Sequence, residues 1–511
     1  MTLGLSIPNG GSVALAEVPR LPVPEFRQSI LAGVLDGGRL SALFGYPAGD
    51  AVRLFGLLAW KETGLLSAVS TEVQDAYPAL TPECPQAHLF EREIAEQWRV
   101  EPAGHPWLKP VRFQPPRRQG RDVWSGHSGS PACGVTEYFQ ISGEEVHEVA
   151  VGPVHAGIIE PGHFRFQCHG ETVYHLEISL GYQHRGVERA LVGGPFDGAQ
   201  GRPNQRTIHY METLAGDTTV GHAMAYCRAV EALSKCRVPA RAQVIRGVAL
   251  ELERMANHIG DLGALAGDIG FLPTMSYCGR IRGDVLNLTA ELRGNRFGRG
   301  LMRPGGVGVD VNEAILSGIR RRLDTALRDA SGAVELLWET PSVMARFEGT
   351  GTVSPEVCEA IGLVGVAARA CGVERDVRRD FPYGIYRLSH IPIAMWHTGD
   401  VFARAFVRWL EIQRSAAFVL EQLDALPEGP IAAPPAELSG GRMAVALVEG
   451  WRGEICHVAM TDDGGKMAQY KVVDPSFHNW FGLAMAMRNQ QVSDFPLCNK
   501  SFNLSYCGYD L

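Results

Sequence analysis

The chain has 511 residues, of which 45% are apolar and 20% are charged, and its formal net charge is −8. This composition predicts a soluble globular protein of about two or three domains, and it offers no basic surface for nucleic acid. The longest apolar runs, such as Met443–Val448, fall well short of the roughly 20 residues that a membrane-spanning helix needs. The N-terminus lacks the basic start and apolar run of a secretory signal, so we expect a cytoplasmic protein that can still dock on membrane partners.

The 11 cysteines are scattered along the chain, and no two of them stand in a Cys-x-x-Cys spacing. An odd, dispersed set of this kind predicts buried, reduced side chains and no disulfide framework. Cys498 and Cys507 are close in sequence, but without neighbouring His or Cys ligands they make a weak metal site. We therefore expect no metal centre and no iron–sulfur cluster held by this chain alone.

Short apolar runs separated by turn residues fill the N-terminal part of the chain, at Leu40–Tyr46, Val52–Trp60 and Leu65–Val69. Periodicity does not separate strands from buried helices over runs of this length. The mixture predicts a small α+β domain over residues 1–115. Residues 116–145 are rich in Pro, Gly, Ser and Arg, which is typical of a linker or of a segment covered by a partner.

Strand-like runs lie on both sides of Gly152–His163, and long helical patterns then dominate. Pro239 immediately precedes a helix predicted over Arg241–His258. Asn312 and Ser354 each stand at a predicted N-cap, where their side chains can accept a backbone hydrogen bond. The predicted apolar stripes are Ile245, Val248, Leu252, Met255 and Ile259 in the first helix; Ile315, Ile319, Leu323 and Leu327 after Asn312; and Phe402, Phe406 and Leu410 in a helix over Val401–Leu423.

From Met443 the chain returns to short strand-like pieces. Residues 146–511 therefore predict a mainly helical domain with strands at both ends. The stretch Gly193–Asn204 interrupts this pattern with Gly, Pro and Asn, and we expect a surface loop there without an assigned function.

Seven segments, in order, resemble segments of two related families: the large subunit of nickel–iron hydrogenases and the D subunit of respiratory complex I. They are GPVH (152–155), GYQHRGVER (181–189), AYCRAVEAL (225–233), VPARAQVIR (238–246), ELERMANHIGDLGALAGDIG (251–270), MRPGGV (302–307) and DPSFHNW (474–480). Each segment alone is weak evidence, whereas seven in register are specific.

Two further segments refine this resemblance. HPWLKPVRF (105–113) resembles the end of the complex I C subunit, and the tail DFPLCNKSFNLSYCGYDL resembles the membrane-bound hydrogenase branch. The chain thus looks like the C–D fusion found in the large subunits of group 4, formate hydrogenlyase-type hydrogenases. The resemblance implies an α+β fold, in which a small C-subunit-like domain precedes a mainly helical domain like the hydrogenase large subunit.

The nickel ligands of the hydrogenase family do not carry over. In that family two segments each supply a pair of cysteines, and the matching positions here are Ala215, Thr218, Ser476 and Asn479. None of these side chains can supply a thiolate, which soft metal centres of this kind require. The resemblance therefore implies that the nickel–iron centre and its hydrogenase chemistry are absent.

Glu212 and His222 do match their hydrogenase counterparts. A carboxyl and an imidazole can shuttle protons. The alternative is that both are structural hydrogen-bonding residues in a relict cavity.

The resemblance to complex I implies a quinone site. That family places a tyrosine and a histidine beside the quinone head group, with an aspartate behind the histidine. The aspartate matches Asp268, whereas the tyrosine position falls on Gly216. The histidine lies in a loop that here contains His155 and His163, and neither aligns squarely, so a surface or backbone-capping histidine is the alternative.

Quinone reduction needs protons at the carbonyl oxygens, so donors with a pKa near neutral must line an otherwise apolar cleft. A His–Asp pair suits this role because the carboxylate fixes the tautomer and raises the pKa of the imidazole. We expect Asp268 with His163 or His155 to form that pair. The groups expected on the opposite wall are Asp217, Thr218 and His222.

The electrons must come from outside the chain, and the resemblance implies an iron–sulfur cluster in a small-subunit partner like the complex I B subunit. His184, Arg185 and Arg303 are expected at the interface near that cluster, where Arg can form charge-assisted hydrogen bonds. An internal ion pair of Arg185 with Glu188 is the alternative. Other implied partners are antiporter-like and other membrane subunits and a ferredoxin-like subunit, at the cytoplasmic face of the cell membrane.

The leading hypothesis is a peripheral-arm subunit of a complex I-like oxidoreductase that passes electrons from the partner cluster to quinone. The missing tyrosine at Gly216 motivates the alternative, a redox-inactive adaptor between a dehydrogenase module and a membrane arm. A working hydrogenase is disfavoured because Ser and Asn cannot replace thiolates. The electron donor (formate, NADH or ferredoxin) and the pumped ion stay open, and no glycine-rich NAD fingerprint follows a strand.

Overall fold

The computed structural model describes residues 4–118, 123–124, 132–157, 159–193 and 206–511. Helices and strands are mixed along the chain in an α+β architecture. The Gly193–Asn204 insertion, apart from its first residue, lies outside the described residues, as does part of the predicted linker.

The helices are α1 (Val23–Leu35), α2 (His88–Trp98), α3 (Val187–Gly193), α4 (Thr207–Met211), α5 (Thr219–Leu233), α6 (Ala240–Asp268), α7 (Leu272–Arg293), α8 (Glu313–Trp338), α9 (Pro341–Phe347), α10 (Pro355–Ile361), α11 (Gly365–Ala370), α12 (Val377–Asp380), α13 (Val401–Asp424), α14 (Pro475–Ala486), α15 (Phe495–Phe502) and α16 (Tyr506–Asp510). Short 3-10 turns occupy Leu15–Glu17, Pro85–Ala87, Gly384–Arg387 and Val492–Asp494.

The strands are β1 (Leu5–Pro8), β2 (Gly11–Ala14), β3 (Arg39–Ala48), β4 (Ala51–Trp60), β5 (Leu65–Val73), β6 (Ala76–Pro78), β7 (Glu101–Ala103), β8 (Val146–Val151), β9 (His163–His169), β10 (Thr172–Ser179), β11 (Met302–Arg303), β12 (Gly306–Val307), β13 (Arg442–Gly450), β14 (Gly453–Thr461) and β15 (Met467–Val473).

The apolar runs near the N-terminus form strands. They lie in β3, β4 and β5, which pair in the antiparallel order β1-β5-β4-β3 and have α1 and α2 packed against them. Tight connections at Pro47–Val52 and Trp60–Leu65 join these strands as hairpins. The short sequence separation of these pairings explains why the runs become strands and not helices.

The first two strands of the chain belong to different sheets. β1 pairs with β5, whereas β2 pairs with β13 in the C-terminal sheet of order β15-β14-β13-β2, with Gly11 opposite Val445. One continuous cluster of buried apolar side chains extends from Ile7 to Leu511. The N-terminal segment before residue 115 therefore shares its core with the rest of the chain.

A third antiparallel sheet, of order β10-β9-β8, carries the segment that the sequence placed between strand-like runs. That segment is the loop between β8 and β9, residues 152–162. Since this loop contains His155 and leads into His163, its position determines what the two histidines can reach.

The predicted helix caps are confirmed. The Asn312 side chain accepts a hydrogen bond from the Ile315 N–H at 3.0 Å at the start of α8, and Ser354 accepts one from Val357 at 3.3 Å at the start of α10. α6 begins immediately after Pro239, as expected, but continues past the predicted end at His258 to Asp268.

The extension of α6 has a packing reason. A Cβ at Gly263 would lie 2.7 Å from the Cβ of Cys278, and one at Gly267 would lie 2.9 Å from the Met275 sulfur, both on α7. These glycines let α7 approach α6 closely, and the burial of that contact outweighs the low helix propensity of glycine.

α13 buries a different face from the one predicted. Phe402, Phe406 and Leu410 are only partly buried, and the two phenylalanines pack edge-on against Trp338. Its fully buried face includes Arg404, Arg408 and Glu411. Polar residues on an inward face are invisible to a pattern that looks for apolar stripes.

The inward face of α13 belongs to a buried ionic network. Its members are Glu251, Arg254, Arg369, Asp376, Arg378, Glu411 and Glu449. Arg254 also donates to the carbonyl oxygens of Glu449 at 2.7 Å and Gly450 at 3.0 Å. The network thereby holds the turn between β13 and β14.

The cysteines are free, and eight of them are buried, as expected of small apolar side chains. None of the described helices combines the length and apolar character that crossing a membrane requires.

Candidate functional site

The candidate site lies where three segments meet: the α4–α5 connection, the turn between β13 and β14, and the start of α14. The first segment carries Ala215–Thr218, the second carries Trp451 and Arg452, and the third begins at Asp474. The four positions that match hydrogenase nickel ligands lie on the first and third segments.

The polar side chains at these positions bond to other parts of the protein. Ser476 Oγ accepts a hydrogen bond from the Ser505 N–H at 2.9 Å. Asn479 exchanges two hydrogen bonds with the backbone of Val364, at 3.0 and 3.1 Å. Thr218 Oγ1 accepts from Trp451 Nε1 at 3.1 Å.

Ala215 has no side-chain atom that could bind a metal. The side chains at the other three positions contain no sulfur and are already hydrogen-bonded to the protein. This donor set does not fit a nickel–iron centre, which needs thiolates. Within the described ranges, no group of three or more His, Cys, Asp or Glu side chains is arranged to hold a metal ion.

A two-point ion pair crosses the site. Arg452 Nη1 and Nη2 each lie 2.7 Å from an oxygen of Asp217. The guanidinium also stacks 3.9 Å over the Trp451 ring, and Asn257 holds the Asp217 carbonyl at 2.8 Å. Arg452 is 4% exposed and Asp217 34% exposed, so the carboxylate is partly open to solvent and the guanidinium is not.

The ion pair fixes the charge of Asp217. Burial opposes ionisation, but the adjacent Arg452 holds the pKa of the Asp217 carboxyl below its usual value. Asp217 is therefore charged at neutral pH and is a poor proton donor there.

Below this pair, four buried titratable side chains form a hydrogen-bonded chain. His222 Nε2 lies 2.9 Å from Asp474 Oδ2, and His222 Nδ1 lies 3.1 Å from His457 Nε2. His457 Nδ1 is 2.8 Å from the Tyr470 hydroxyl. All four side chains are almost completely buried.

The charge on Asp474 sets the direction of this chain. Burial opposes its ionisation, but the hydrogen bond from His222 and the charge of Arg452 hold the pKa of Asp474 below its usual value. Burial and the neighbouring His222 lower the pKa of His457, which is therefore neutral. His222 therefore donates from Nε2 to the charged Asp474, and His457 and Tyr470 continue the chain away from it.

Glu212 makes contacts that are likewise internal. Its carboxylate lies 2.9 Å from His209 Nδ1 and accepts a hydrogen bond from the Gly300 N–H. Of the two roles considered for Glu212 and His222, these contacts favour structural hydrogen bonding.

Gly216 is exposed, and a Cβ built on it would meet no atom within 4 Å. The position at which the resemblance to complex I implies a tyrosine is therefore open to solvent beside Asp217. Nothing in its backbone or surroundings excludes a side chain.

The β8–β9 loop approaches the same region. A Cβ at Gly162 would lie 2.6 Å from the Tyr506 ring, and Tyr506 stands next to Cys507 at the start of α16. Burial first, then the charge of Glu160 on this loop and last that of Asp217 raise the pKa of the Cys507 thiol to about 12. The loop thus reaches the edge of the candidate site.

The two loop histidines differ in their bonding. His155 Nε2 lies 2.9 Å from the Gly162 carbonyl oxygen, which ties the loop together. His163 Nδ1 lies 3.4 Å from the Gly152 carbonyl oxygen, whereas its Nε2 is buried without a hydrogen-bond partner among the described residues. Burial lowers the pKa of His163, so its imidazole is neutral at pH 7.

Asp268 is exposed at the end of α6. Across the described residues, no hydrogen bond or ion pair joins Asp268 to His155 or His163. The expected His–Asp pair is not assembled in this conformation, so its role remains a prediction.

The expected interface residues are placed as follows. His184 Nδ1 lies 2.7 Å from the Asp510 carbonyl oxygen. Arg185 donates to the carbonyl oxygens of Thr213 at 2.6 Å and Leu214 at 2.9 Å, so it braces the segment that leads to Asp217. Arg303 is exposed at the hairpin of β11 and β12.

The alternative of an Arg185–Glu188 ion pair is wrong. Glu188 is paired with Lys471 at 3.0 Å and Arg117 at 3.2 Å. The reason is that Glu188 lies on the buried side of α3, facing β15, whereas Arg185 precedes the helix.

Sequence reasoning missed Arg452, His457 and Tyr470. Arg452 stands in a turn 235 residues from its partner Asp217, a distance over which no local pattern operates. The available signal was His457 itself, a single polar residue within the apolar run of β14. A buried strand position occupied by His needs a hydrogen-bonding partner.

Comparison with known proteins supports the family resemblance. The family model for the respiratory-chain NADH dehydrogenase 49 kDa subunit matches residues 268–440. Formate hydrogenlyase subunit 5 of Escherichia coli is 29% identical over 489 residues, which cover 92% of this chain and 84% of that protein.

Two further relatives are matched over nearly their whole length. Carbon monoxide-induced hydrogenase of Rhodospirillum rubrum is 31% identical, with 70% of this chain and 97% of that protein covered. NADH-quinone oxidoreductase subunit 4 of Thermus thermophilus is 30% identical, with 68% and 90% covered. The chain therefore belongs to the family that unites the 49 kDa (D) subunit of NADH-quinone oxidoreductase with the related hydrogenase subunits.

Proposed function

We propose that this chain is a peripheral-arm core subunit of a membrane-bound, complex I-like oxidoreductase and is not a hydrogenase. It receives electrons from an iron–sulfur cluster in a partner small subunit and passes them to quinone or a similar acceptor. Membrane subunits couple this transfer to ion translocation. The chain itself would lie at the cytoplasmic face of the membrane.

The observation that carries the proposal is the bonding at the four metal positions. Ala215, Thr218, Ser476 and Asn479 offer no sulfur, and the three polar side chains bond to the protein itself. Around them the site keeps a charged Asp217, an open Gly216 and a histidine-bearing loop at its edge. A polar site whose side chains offer no thiolate suits an organic acceptor better than hydrogen.

His163 is the best candidate for a proton carrier. With Nδ1 directed at the Gly152 carbonyl oxygen, Nε2 is left as a free base in a buried place. A base of this kind can take up a proton and pass it to a quinone oxygen as electrons arrive. Asp268 would return a proton to His163 after a movement of the loop, because the two residues are not in contact in this conformation.

Quinone reduction by the assembled complex tests the proposal. We expect His163→Ala and Asp268→Asn each to lower the turnover number by about a hundredfold or more, the lower end for a lost proton carrier. His169→Ala is the matched control, since His169 lies on the same strand with an exposed side chain, and it should leave turnover unchanged. Gly216→Tyr tests the opposite direction: it should raise the turnover number by restoring a hydroxyl donor.

The adaptor is the second candidate, and two observations favour it. The Asp217 charge is neutralised by Arg452, and Gly216 supplies no donor. Unchanged turnover in both His163→Ala and Asp268→Asn, with no gain in Gly216→Tyr, would contradict quinone chemistry in this chain and favour the adaptor.

A further inference from the structure

A cavity of about 520 Å3 lies between α5, α6 and the turn Gly384–Arg387. It shares no lining residue with the candidate site described above. Its volume is within the range of sites that hold small organic molecules.

The charges that line this cavity are unbalanced. Five cationic side chains line it, namely Arg228, Lys235, Arg237, Arg246 and Arg387, against the single carboxylate of Glu231. Glu231 is already used by Arg246, at 2.6 and 3.2 Å, and by the Gly305 N–H at 2.7 Å.

The other four cations have no carboxylate within ion-pair distance in the part of the chain that the structure describes. Such an excess is unexpected in a chain whose net charge is −8. Lys235, Arg237 and Arg387 are exposed, whereas Arg228 is partly buried. The cavity therefore combines one partly buried cation with three exposed ones, of which Arg387 donates to the Pro382 carbonyl oxygen at 3.2 Å.

Arg228 is held in place by its surroundings. Its guanidinium lies 4.5 Å from the centre of the Tyr383 ring and donates to the Leu447 carbonyl oxygen at 2.7 Å. It also donates to the Asn9 carbonyl oxygen at 3.2 Å, where the chain turns through Gly10 at a φ of +74°. A Cβ at Gly10 would lie 2.4 Å from Nη2, so the turn can close on the guanidinium only with glycine.

These contacts leave the Nε–H and one Nη2 proton of Arg228 without an acceptor among the described residues. Two adjacent N–H groups on one edge of a guanidinium match two oxygens of a carboxylate or phosphate. The remaining lining includes Met224, Val238 and Ile385, which can contact an apolar body.

We propose that this cavity binds a small organic anion bearing phosphate or carboxylate groups. Arg228 anchors one anionic group, and the flexible side chains of Lys235, Arg237 and Arg387 close over the rest. A small molecule fits better than an acidic segment of a partner protein, because the anchoring guanidinium is partly buried while the other three cations are exposed, and the cavity volume matches that of a small ligand. This inference does not depend on the proposed function.

Calorimetric titration of the purified full chain with pyrophosphate and with citrate tests the proposal. We expect saturable binding of at least one probe, with one site per chain, and the preferred probe identifies phosphate or carboxylate as the recognised group. Arg228→Met, which keeps the aliphatic stem, should weaken binding by about tenfold or more. The double variant Lys235→Gln/Arg387→Gln should do the same and touches only exposed side chains, so it guards against misfolding of the first.

Arg321→Gln is the control, because Arg321 is an exposed arginine on α8 that does not line the cavity, and it should leave affinity unchanged. Absence of saturable binding of both probes at millimolar concentration would overturn the proposal. Equal weakening of probe binding in Arg321→Gln would also overturn the proposal. Cross-linking of residue 235 to another subunit in the assembled complex, unaffected by either probe, would show instead that an acidic protein segment fills the cavity.

Discussion

At the scale of single residues, the Asp217–Arg452 pair shows how the site is kept in shape without a metal. The guanidinium is almost fully desolvated, so its charge is compensated mainly by the carboxylate opposite it. Removing one member of such a pair leaves a buried charge without compensation, which costs more than the net value of the pair.

We expect Asp217→Asn to lower the free energy of unfolding by about 2–3 kcal/mol, below the full value for a completely buried pair because Asp217 is partly exposed. Asp324→Asn, which breaks a surface pair with Arg328, should cost less than about 0.5 kcal/mol. Urea unfolding of both variants provides the comparison. Equal, small losses would mean that the Asp217 pair is solvated and not structural.

The same pair predicts a pH dependence. The pKa of Asp217 is lower in the folded protein than in the unfolded chain, so its stabilising contribution is fully present above the unfolded value of about 4. The contribution is lost as the pH falls through the folded pKa. The difference between the wild type and Asp217→Asn should therefore be constant at neutral pH and shrink in acid.

Only part of the site was predictable at this scale. The resemblance to the family segments identified Asp217, Thr218, Glu212 and His222, because these residues stand within or next to recognisable segments. The partners of Asp217 and His222 are Arg452, in the turn before β14, and Asp474, at the start of α14, both more than two hundred positions later. Such contacts depend on strand pairing, which a single sequence does not reveal.

At the scale of elements, helix starts were predictable and helix ends were not. Asn312 and Ser354 act locally, through a hydrogen bond to the third residue beyond, so their sequence signal is sufficient. The end of α6 depends instead on α7, whose side chains fill the space above Gly263 and Gly267. Read alone, those glycines weaken the helical pattern.

Asn312→Ala should lower the free energy of unfolding by about 1 kcal/mol through loss of the cap of α8. Ser317→Ala is the control one turn later, because its hydroxyl bonds only to the Ala314 carbonyl oxygen within the helix. That change should be neutral or slightly stabilising, since alanine favours helix. A loss as large in Ser317→Ala would assign the effect to the helix as a whole and not to its cap.

At the scale of the whole molecule, the first two strands connect the N-terminal sheet with the C-terminal sheet. β1 belongs to the N-terminal sheet and β2 to the C-terminal sheet, and the pairing of β2 with β13 spans most of the sequence. Composition indicated a linker near residues 116–145. It gave no sign that β2, which precedes the linker, pairs with β13, which follows it. The mixed α+β character and the family were predictable, and this pairing between the two ends of the chain was not.

The buried ionic network was equally hidden. Its arginines and carboxylates come from α6, α11, α12, α13 and β13, and each one alone reads as a solvated residue on a helix face. Together they hold the turn that carries Trp451 and Arg452. The fold thus uses a charged core to shape the place where related hydrogenases carry their chemistry.

The central claim is that this place no longer holds a metal. Elemental analysis of the purified chain and of its assembled complex, by mass spectrometry, tests that claim directly. The account predicts nickel far below one atom per chain in both preparations, because Ala215, Thr218, Ser476 and Asn479 supply no thiolate. One nickel atom per chain would contradict it.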